Sequence, residues 1–222
     1  MHIPDGYLSP MTYIPSYVVA VPLMAYGIKK LKGELNDQTL PLISSLAAMS
    51  FLIMMINIPI PGGTSGHAIG AAAISILINP WIAFISISLV LLIQALIFGD
   101  GGITAWAVNS LALGFVASFV AYYSFKVLSK LNENIALFIS GWLSIVAASF
   151  VVAVFLGIQP VIAHTPDGKP LFFPFGLEIT IPALVGSHIL YFGAVEGLYT
   201  LLVVKFIEKI KNPFLKGSIK DV

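Results

Sequence analysis

The amino terminus, Met1-His2-Ile3-Pro4-Asp5-Gly6, holds three nitrogen atoms that can bind one metal ion. The α-amine of Met1, the backbone nitrogen of His2 and the His2 imidazole close a five-membered and a six-membered chelate ring. Three coplanar nitrogens leave one position free in a square plane, and square-planar nitrogen coordination indicates Ni²⁺ or Cu²⁺. The bulky His2 side chain should hinder removal of Met1, so we expect its amine to be kept. The alternative is a histidine at a loose chain end.

His67 is the candidate for the fourth position of that plane. It follows Pro61-Gly62-Gly63-Thr64-Ser65-Gly66, in which the glycines permit tight turns and close approach of backbone. His67 is expected to begin a short helix, and ionisable residues within membrane segments are usually functional. The alternative is a hydrogen-bonded histidine that caps the helix. The chain contains no cysteine, so any transition-metal site must use nitrogen or oxygen donors.

Seven further polar residues are candidates for supporting the ligands without touching the metal. Amides are poor ligands for a borderline divalent cation, so Asn57, Gln94 and Asn109 are expected to orient the imidazoles and the terminal segment. Alternatively, each forms a hydrogen bond between helices. Asp5 either holds the terminal segment or begins a turn with Gly6. The full set is Asp5, Asn57, Ser65, Gln94, Asn109, His188 and Glu196.

Two of these residues share the last apolar stretch. His188 and Glu196 lie roughly 80° apart around a helix that turns by about 100° per residue. Being near the same side, they either support the site or are partners for one another. The remaining histidine, His164, precedes Thr165-Pro166-Asp167-Gly168, which is a turn sequence. We therefore expect His164 to be exposed in a loop.

The composition is that of an integral membrane protein. Hydrophobic residues make up 58% of the chain and charged residues 9%, whereas about a quarter of the residues in soluble domains are charged. A chain of 222 residues has room for one membrane bundle, so we expect a single domain over residues 1–222. The net charge of +1 gives no electrostatic support to nucleic-acid binding.

Seven apolar stretches predict an all-α, polytopic bundle of seven transmembrane helices. A spanning helix needs about 20 apolar residues, but the third stretch is shorter and Pro80 separates it from the fourth. Such a segment is tolerated only against protein or a water-filled cavity, which makes Asn57 to Gly70 a candidate site. The stretches cover roughly residues 11–30, 39–58, 66–79, 80–98, 103–128, 134–157 and 178–210.

Lysine clusters predict the orientation of the bundle. Positive charge concentrates on the cytoplasmic side of membrane proteins, and clusters follow the first, fifth and seventh stretches. The amino terminus is then outside, the carboxy terminus is cytoplasmic, and Pro59–Gly66, Gly99–Gly102 and residues 158–177 form external loops. His2, His67, Asp100 and His164 consequently share the outer side. The lysines are Lys29, Lys30, Lys32, Lys126, Lys130, Lys205, Lys209, Lys211, Lys216 and Lys220.

Three motifs resemble those of the CbiM/NikM family, the substrate-capture components of energy-coupling-factor transporters for cobalt and nickel. They are Met1-His2-Ile3-Pro4-Asp5-Gly6, Pro61-Gly62-Gly63-Thr64-Ser65-Gly66-His67 and Gln94-Ala95-Leu96-Ile97-Phe98-Gly99-Asp100-Gly101-Gly102. Asn109 and the segment Glu196-Gly197-Leu198-Tyr199-Thr200 are also similar to that family. The resemblance extends from Met1 through the last span.

The resemblance implies a seven-span fold whose amino-terminal segment inserts into the outer side of the bundle. It implies that the Met1 amine, the His2 amide and imidazole and the His67 imidazole hold the metal. Ni²⁺ or Co²⁺ is then the transported substrate, no catalytic cofactor is expected, and the planar nitrogen set favours nickel. The protein would lie in a prokaryotic plasma or inner membrane.

The resemblance also implies partner proteins. They are a membrane coupling component and two ABC-type ATPase subunits, and a small accessory membrane protein is a further candidate. The sequence has no glycine-rich phosphate loop with Gly-Lys-Ser/Thr, so ATP is expected to be hydrolysed by the partners. Because the chain ends soon after the last span, we expect no fused accessory segment.

Two other functions are alternatives. A capture component for an organic vitamin needs a larger apolar pocket with aromatic stacking, and the histidines would be incidental. An intramembrane metallo-hydrolase needs an open metal position and a general base, often as His-Glu-x-x-His. That pattern does not occur in the sequence. No catalytic residue is assigned, and we expect a transporter subunit, not an enzyme.

Overall fold

The computed structural model describes residues 1–60 and 64–210, and α-helices make up most of this part of the chain. Ten α-helices and one hairpin of two short strands follow one another in the described residues. In chain order they are α1 (Pro10–Glu34), α2 (Thr39–Met54), β1 (Ile58–Ile60), β2 (Thr64–Gly66), α3 (Ala71–Leu77), α4 (Pro80–Ile93), α5 (Trp106–Asn109), α6 (Ala117–Leu128), α7 (Glu133–Gly157), α8 (Gln159–Ile162), α9 (Leu177–Ser187) and α10 (Gly193–Lys209).

Among the described residues, five helical runs are long and apolar enough to cross a membrane. They are Pro10–Glu34, Pro80–Phe98, Trp106–Leu128, Glu133–Ile162 and Leu177–Lys209. The apolar helix α2 has 16 residues, and α3 has 7. These two short helices fall in the second and third of the seven predicted stretches, so the described chain has five runs of full spanning length.

The short helix α3 is enclosed by protein. Each of its residues is buried, and it packs against α4, α6 and α10. Its length of about 10 Å is only a third of the hydrocarbon core of a bilayer. Neighbouring helices surround α3 and shield the irregular backbone beside it from lipid. This agrees with the rule that irregular backbone within a membrane is tolerated only against protein or a water-filled cavity.

Three local features differ from the sequence prediction. The fold is mostly helical but contains an antiparallel hairpin, in which Ile58 of β1 pairs with Gly66 of β2. α2 ends at Met54, four residues short of the predicted stretch. His67 does not begin a helix: α3 begins at Ala71, because Gly70 adopts a left-handed conformation with φ of 78° that interrupts the helical path.

Three of the membrane-length runs widen into π-helical turns. These turns are Gln94–Phe98, Ser110–Val116 and His188–Phe192. Each begins at or directly after a polar residue singled out in the sequence, namely Gln94, Asn109 or His188. Such turns recur at functional sites in helical proteins. They also change the direction of side chains after the turn relative to those before it. The turn His188–Phe192 therefore changes the direction of Glu196 relative to His188.

α7 is the central helix of the bundle and packs against α6, α9 and α10. Glycines allow α10 to approach it closely. A Cβ atom on Gly141 of α7 would lie 2.8 Å from the backbone oxygen of Glu196, and one on Gly197 of α10 would lie 2.6 Å from that of Phe138. α10 is thereby held against α7 while it also contacts α3.

Candidate metal centre

The amino-terminal segment, residues 1–9, is folded into the bundle. Met1 is 0% exposed and Ile3 is 1% exposed. The side chain of Asn109 binds the backbone of Ile3 twice, since its Oδ1 accepts from Ile3 N and its Nδ2 donates to Ile3 O, both at 3.0 Å. Gly102 N donates to the same Ile3 oxygen at 2.9 Å. Asn109 therefore fixes the residue that follows His2.

Asp5 holds the other end of this segment. Its carboxylate accepts hydrogen bonds from Ile103 N at 3.1 Å, from Thr104 N at 2.8 Å and from the Thr104 hydroxyl. Burial raises the pKa of Asp5, but these hydrogen bonds outweigh that effect and lower the pKa below its ordinary value. Of the two roles considered from the sequence, the geometry matches a clamp on the terminal segment.

His2 and His67 lie side by side in the interior. Their ring centroids are 4.4 Å apart at an interplanar angle of 57°, and the residues are 6% and 1% exposed. Nδ1 of His67 lies 2.9 Å from the carbonyl oxygen of Ala68. That contact requires the proton on Nδ1 and leaves the lone pair on Nε2, which is buried without a hydrogen-bond partner, as is Nε2 of His2.

The Met1 amine lies next to these rings. It donates to the backbone oxygen of Ser65 at 2.5 Å and to Ser65 Oγ at 3.2 Å. Ser65 lies in β2 and precedes His67 by two residues, so the strand that leads into His67 also holds the terminal amine. A neutral amine retains two N–H groups for these bonds and has a lone pair free for a metal.

The buried nitrogens are poor bases. Burial lowers the pKa of the Met1 amine from 8.0 to about 4, against the opposing charge of Asp100. Burial also lowers the pKa of His2 and, together with the charge of the amine and of His2, takes that of His67 well below 6.5. All three groups are therefore unprotonated at neutral pH, which is the form that binds metal.

Asp100 contacts His2, although it was not among the predicted site residues. Its Oδ1 lies 3.0 Å from His2 Nδ1, and this contact is an ion pair only in the protonated form of His2. Asn57 Nδ2 donates to Asp100 Oδ2 at 3.1 Å. Partial burial raises the pKa of Asp100, but contact with His2, the amine charge and Asn57 lowers it overall. The sequence signal that could have identified Asp100 was the Gln94–Gly102 motif, which contains it.

Glu196 supports the backbone that follows His67. Its Oε2 accepts from Ile69 N at 2.6 Å, and its Oε1 accepts from Gly70 N at 2.9 Å. A carboxylate at the amino-terminal end of α3 is favourable, because the free N–H groups there carry partial positive charge. Glu196 and His188 are thus not partners for one another. His188 Nδ1 bonds instead to the carbonyl oxygen of Leu184 at 2.6 Å.

The hydrogen bonds of the remaining candidates go to groups other than the two imidazoles, although His188 is near enough to act electrostatically on His67. Gln94 Nε2 reaches the backbone oxygen of Phe51 on α2 at 3.5 Å, which is an interhelical contact. Asn57 is exposed beyond the end of α2 and not inside a span. His188 is buried against Phe192 with its Nε2 unpartnered. His164 is exposed and contacts the carbonyl of Thr165, as the turn sequence indicated.

Within residues 1–60 and 64–210, no group of three or more His, Cys, Asp or Glu side chains could hold a metal ion. Any metal centre in this region therefore needs donors of another kind. The Met1 amine and the backbone nitrogen of His2 are such donors, and they lie beside the two buried imidazoles.

Known proteins share this sequence and fold. The sequence profile of the CbiM family, described as the cobalt uptake substrate-specific transmembrane region, matches residues 2–214. The probable fused nickel transport protein LarMN of Lactiplantibacillus plantarum is 42% identical over 95% of this chain and 65% of its own length. A putative metal transport protein of Methanocaldococcus jannaschii is 42% identical over 100% of this chain and 98% of its own length.

The fold agrees with the sequence comparison. The crystal structure of a truncated transition metal transporter matches with a TM-score of 0.92 and 42% identity, over 95% of this chain and 99% of that one. This chain spans less than two thirds of the fused relative, at 65% of its length. The comparisons give no support to vitamin capture. The chain belongs to the CbiM family of substrate-specific transmembrane components for metal uptake, and it is a multi-pass membrane protein and not an enzyme.

Proposed function

We propose that this chain captures Ni²⁺, or with lower preference Co²⁺, on the outer side of a prokaryotic plasma membrane for ATP-driven uptake. The donors are the Met1 amine, the backbone nitrogen and Nδ1 of His2, and Nε2 of His67. The observation that carries the proposal is the pair of buried imidazoles 4.4 Å apart beside a buried amine, with Nε2 of His67 unpartnered and Nδ1 of His2 in contact with Asp100. Buried polar atoms without partners are costly, so a ligand for them is expected.

The preference for nickel follows from the donor set. Chelation through the His2 backbone nitrogen requires that nitrogen to lose its proton, which produces a strong anionic donor. Four nitrogens in one plane suit Ni²⁺ better than Co²⁺. The fused relative from Lactiplantibacillus plantarum is named as a nickel transport protein, whereas the family is described by cobalt uptake.

The orientation predicted from the lysines agrees with capture from outside. Lysines lie at the carboxy-terminal ends of α1 and α10 and just beyond α6, as the positive-inside rule predicts for a cytoplasmic face. Lys211, Lys216 and Lys220 lie outside the described residues. α2 and the enclosed segment around α3 then complete seven crossings, and the amino terminus with His67 lies at the outer end of the bundle.

The chain is proposed to work with a membrane coupling component, two ABC-type ATPases and a small accessory membrane protein. Its sequence contains no Gly-Lys-Ser/Thr phosphate loop, so energy must come from a partner. Binding by the isolated chain requires none of them, because the chain contains all four donors. Net accumulation of metal is expected only in cells that also make the ATPases.

Metal content of the purified protein tests this function. The chain is produced with a free Met1 amine and a carboxy-terminal tag, loaded with Ni²⁺, desalted and measured by elemental analysis. We expect about one metal ion per chain, and His67→Ala should lose most of it. His164→Ala is the matched control, since His164 is exposed and its imidazole contacts the carbonyl oxygen of Thr165. Full retention of nickel by His67→Ala would rule out the proposed ligand set.

A further inference from the structure

A cavity of about 270 Å³ lies beside the proposed donors. His2, Tyr7, Thr64, Ser65 and Asp100 are among the residues that border it. It leads from a carboxylate that water can reach to a buried imidazole: the side chain of Asp100 is 23% exposed and that of His2 is 1% exposed. The four-nitrogen plane makes no use of the Asp100 carboxylate.

The charge of Asp100 faces this cavity. Among the residues that the structure describes, its ionisable neighbours are His2, whose Nδ1 lies 3.0 Å away, and the Met1 amine, and none of them is a lysine. The neutral amide of Asn57 binds the other carboxylate oxygen at 3.1 Å and so fixes the direction in which Oδ1 points. An anionic oxygen is thus held next to the nitrogen that closes the six-membered chelate ring.

We propose that this cavity is an outer capture position for a hydrated divalent cation, with Asp100 as its ligand before transfer to the nitrogens. The inference rests on the proposed function. Six water molecules occupy about 180 Å³ at the density of the liquid, so a hydrated ion fits the cavity volume of about 270 Å³. Carboxylate oxygens bind divalent cations that still carry water.

Transfer from this position is a local exchange of ligands. A cation on Asp100 Oδ1 is adjacent to His2 Nδ1, because those atoms are 3.0 Å apart. Coordination of Nδ1 moves the imidazole proton to Nε2 and ends the contact between His2 and Asp100. The His2 backbone N–H gives its proton to water as that nitrogen binds, and the remaining waters leave as the amine and His67 bind. The carboxylate thereby attracts the cation into the cavity and replaces part of its hydration shell before the nitrogens take over.

The consequence is kinetic. A fixed negative charge in a cavity raises association rates of cations by 10-fold or more and makes them sensitive to salt. Asp100→Asn keeps the size of the side chain and removes the charge. Asp167→Asn is the matched control, because Asp167 is an exposed aspartate in the loop that follows α8. Asp100→Glu keeps the charge and should keep an association rate close to that of the unmodified chain.

Stopped-flow mixing with Ni²⁺ alone, at several ionic strengths, tests the proposal on the full chain with a free Met1 amine. We expect Asp100→Asn to associate about tenfold more slowly, with a weaker salt dependence, while Asp167→Asn is unchanged. If Asp100→Asn does not fold, Asp100→Ser replaces it in the same comparison. An unchanged rate and salt dependence overturn the capture position while metal stoichiometry still supports the proposed function. Absence of Ni²⁺ binding by the unmodified chain overturns both.

Discussion

The buried imidazole of His2 lies with its centroid 4.4 Å from that of His67. One residue comes from the amino-terminal segment and the other from the segment between β2 and α3. Both are placed by contacts to backbone: Asn109 binds Ile3, and Glu196 binds the amides of Ile69 and Gly70. Metal affinity should therefore depend on these two supporting residues as well as on the proposed ligands.

Asn109→Ala should weaken metal binding about 10- to 100-fold, the range typical for residues that orient ligands. The change removes both hydrogen bonds to Ile3 and so releases the terminal segment. Isothermal titration with Ni²⁺ measures the effect. Asn132→Ala is the control, because Asn132 also binds a backbone amide but caps α7. Equal affinity of both variants would show that Asn109 does not position the terminus.

Gly66→Ala should lower metal binding by steric displacement of the strand before His67. A Cβ atom there would lie 2.0 Å from Cε2 of Phe192, and overpacking of this kind costs about 1–3 kcal/mol. Metal content after desalting reports the loss.

The cause of that loss can be checked with a second substitution. Phe192→Leu in the Gly66→Ala background should restore part of the binding, since it shortens the opposing side chain. Gly33→Ala has open space around the added atom and should behave as the unmodified chain. If the double variant binds no more metal than Gly66→Ala, the clash with Phe192 is not the reason.

Glu196→Ala should destabilise the fold and weaken metal binding. Glu196→Gln should have a smaller effect on both stability and metal affinity. Alanine leaves the amides of Ile69 and Gly70 without an acceptor, and each buried unpaired amide costs about 1–3 kcal/mol. Glutamine keeps one acceptor oxygen. Thermal unfolding in detergent together with nickel titration measures both quantities. Alanine and glutamine variants with equal stability would argue against Glu196 as the cap of α3.

Labelling of single cysteines tests the orientation. The chain has no cysteine of its own, and Asp37 and Asp167 are exposed in loops at the two proposed faces. An impermeant thiol reagent on intact cells should label Asp167→Cys, and should reach Asp37→Cys only after the cells are permeabilised. The reverse pattern would place the imidazoles on the cytoplasmic side.

The ligand candidates could be predicted from the sequence because their chemistry is local. The chelating terminus needs only the order Met1-His2, and the glycines before His67 mark an irregular approach. The role of Asn109 was one of two alternatives, and only the contact with Ile3 separates them. Asp100 was expected on the same side of the membrane as His2 and His67 but was not among the predicted site residues, since its approach to His2 depends on how distant segments fold together.

Backbone geometry limited the other predictions. A regular helix would put His188 and Glu196 on neighbouring faces, but the π-helical turn His188–Phe192 changes their relative direction. Each then finds a backbone partner instead of the other. The start of α3 was misplaced for a similar reason, because the left-handed Gly70 and the carboxylate of Glu196 together set where that helix begins.

One added residue tests whether the Met1 amine is a metal ligand. Two forms of the chain are compared by nickel titration, one with a free Met1 amine and one with a single glycine before Met1, both tagged at the carboxy terminus. The glycine turns the amine into an amide and breaks the five-membered ring. We predict that the first form binds about one Ni²⁺ with the absorption of a square-planar complex and that the second loses it. Equal affinity and an identical spectrum for both forms would show that the Met1 amine is not a ligand.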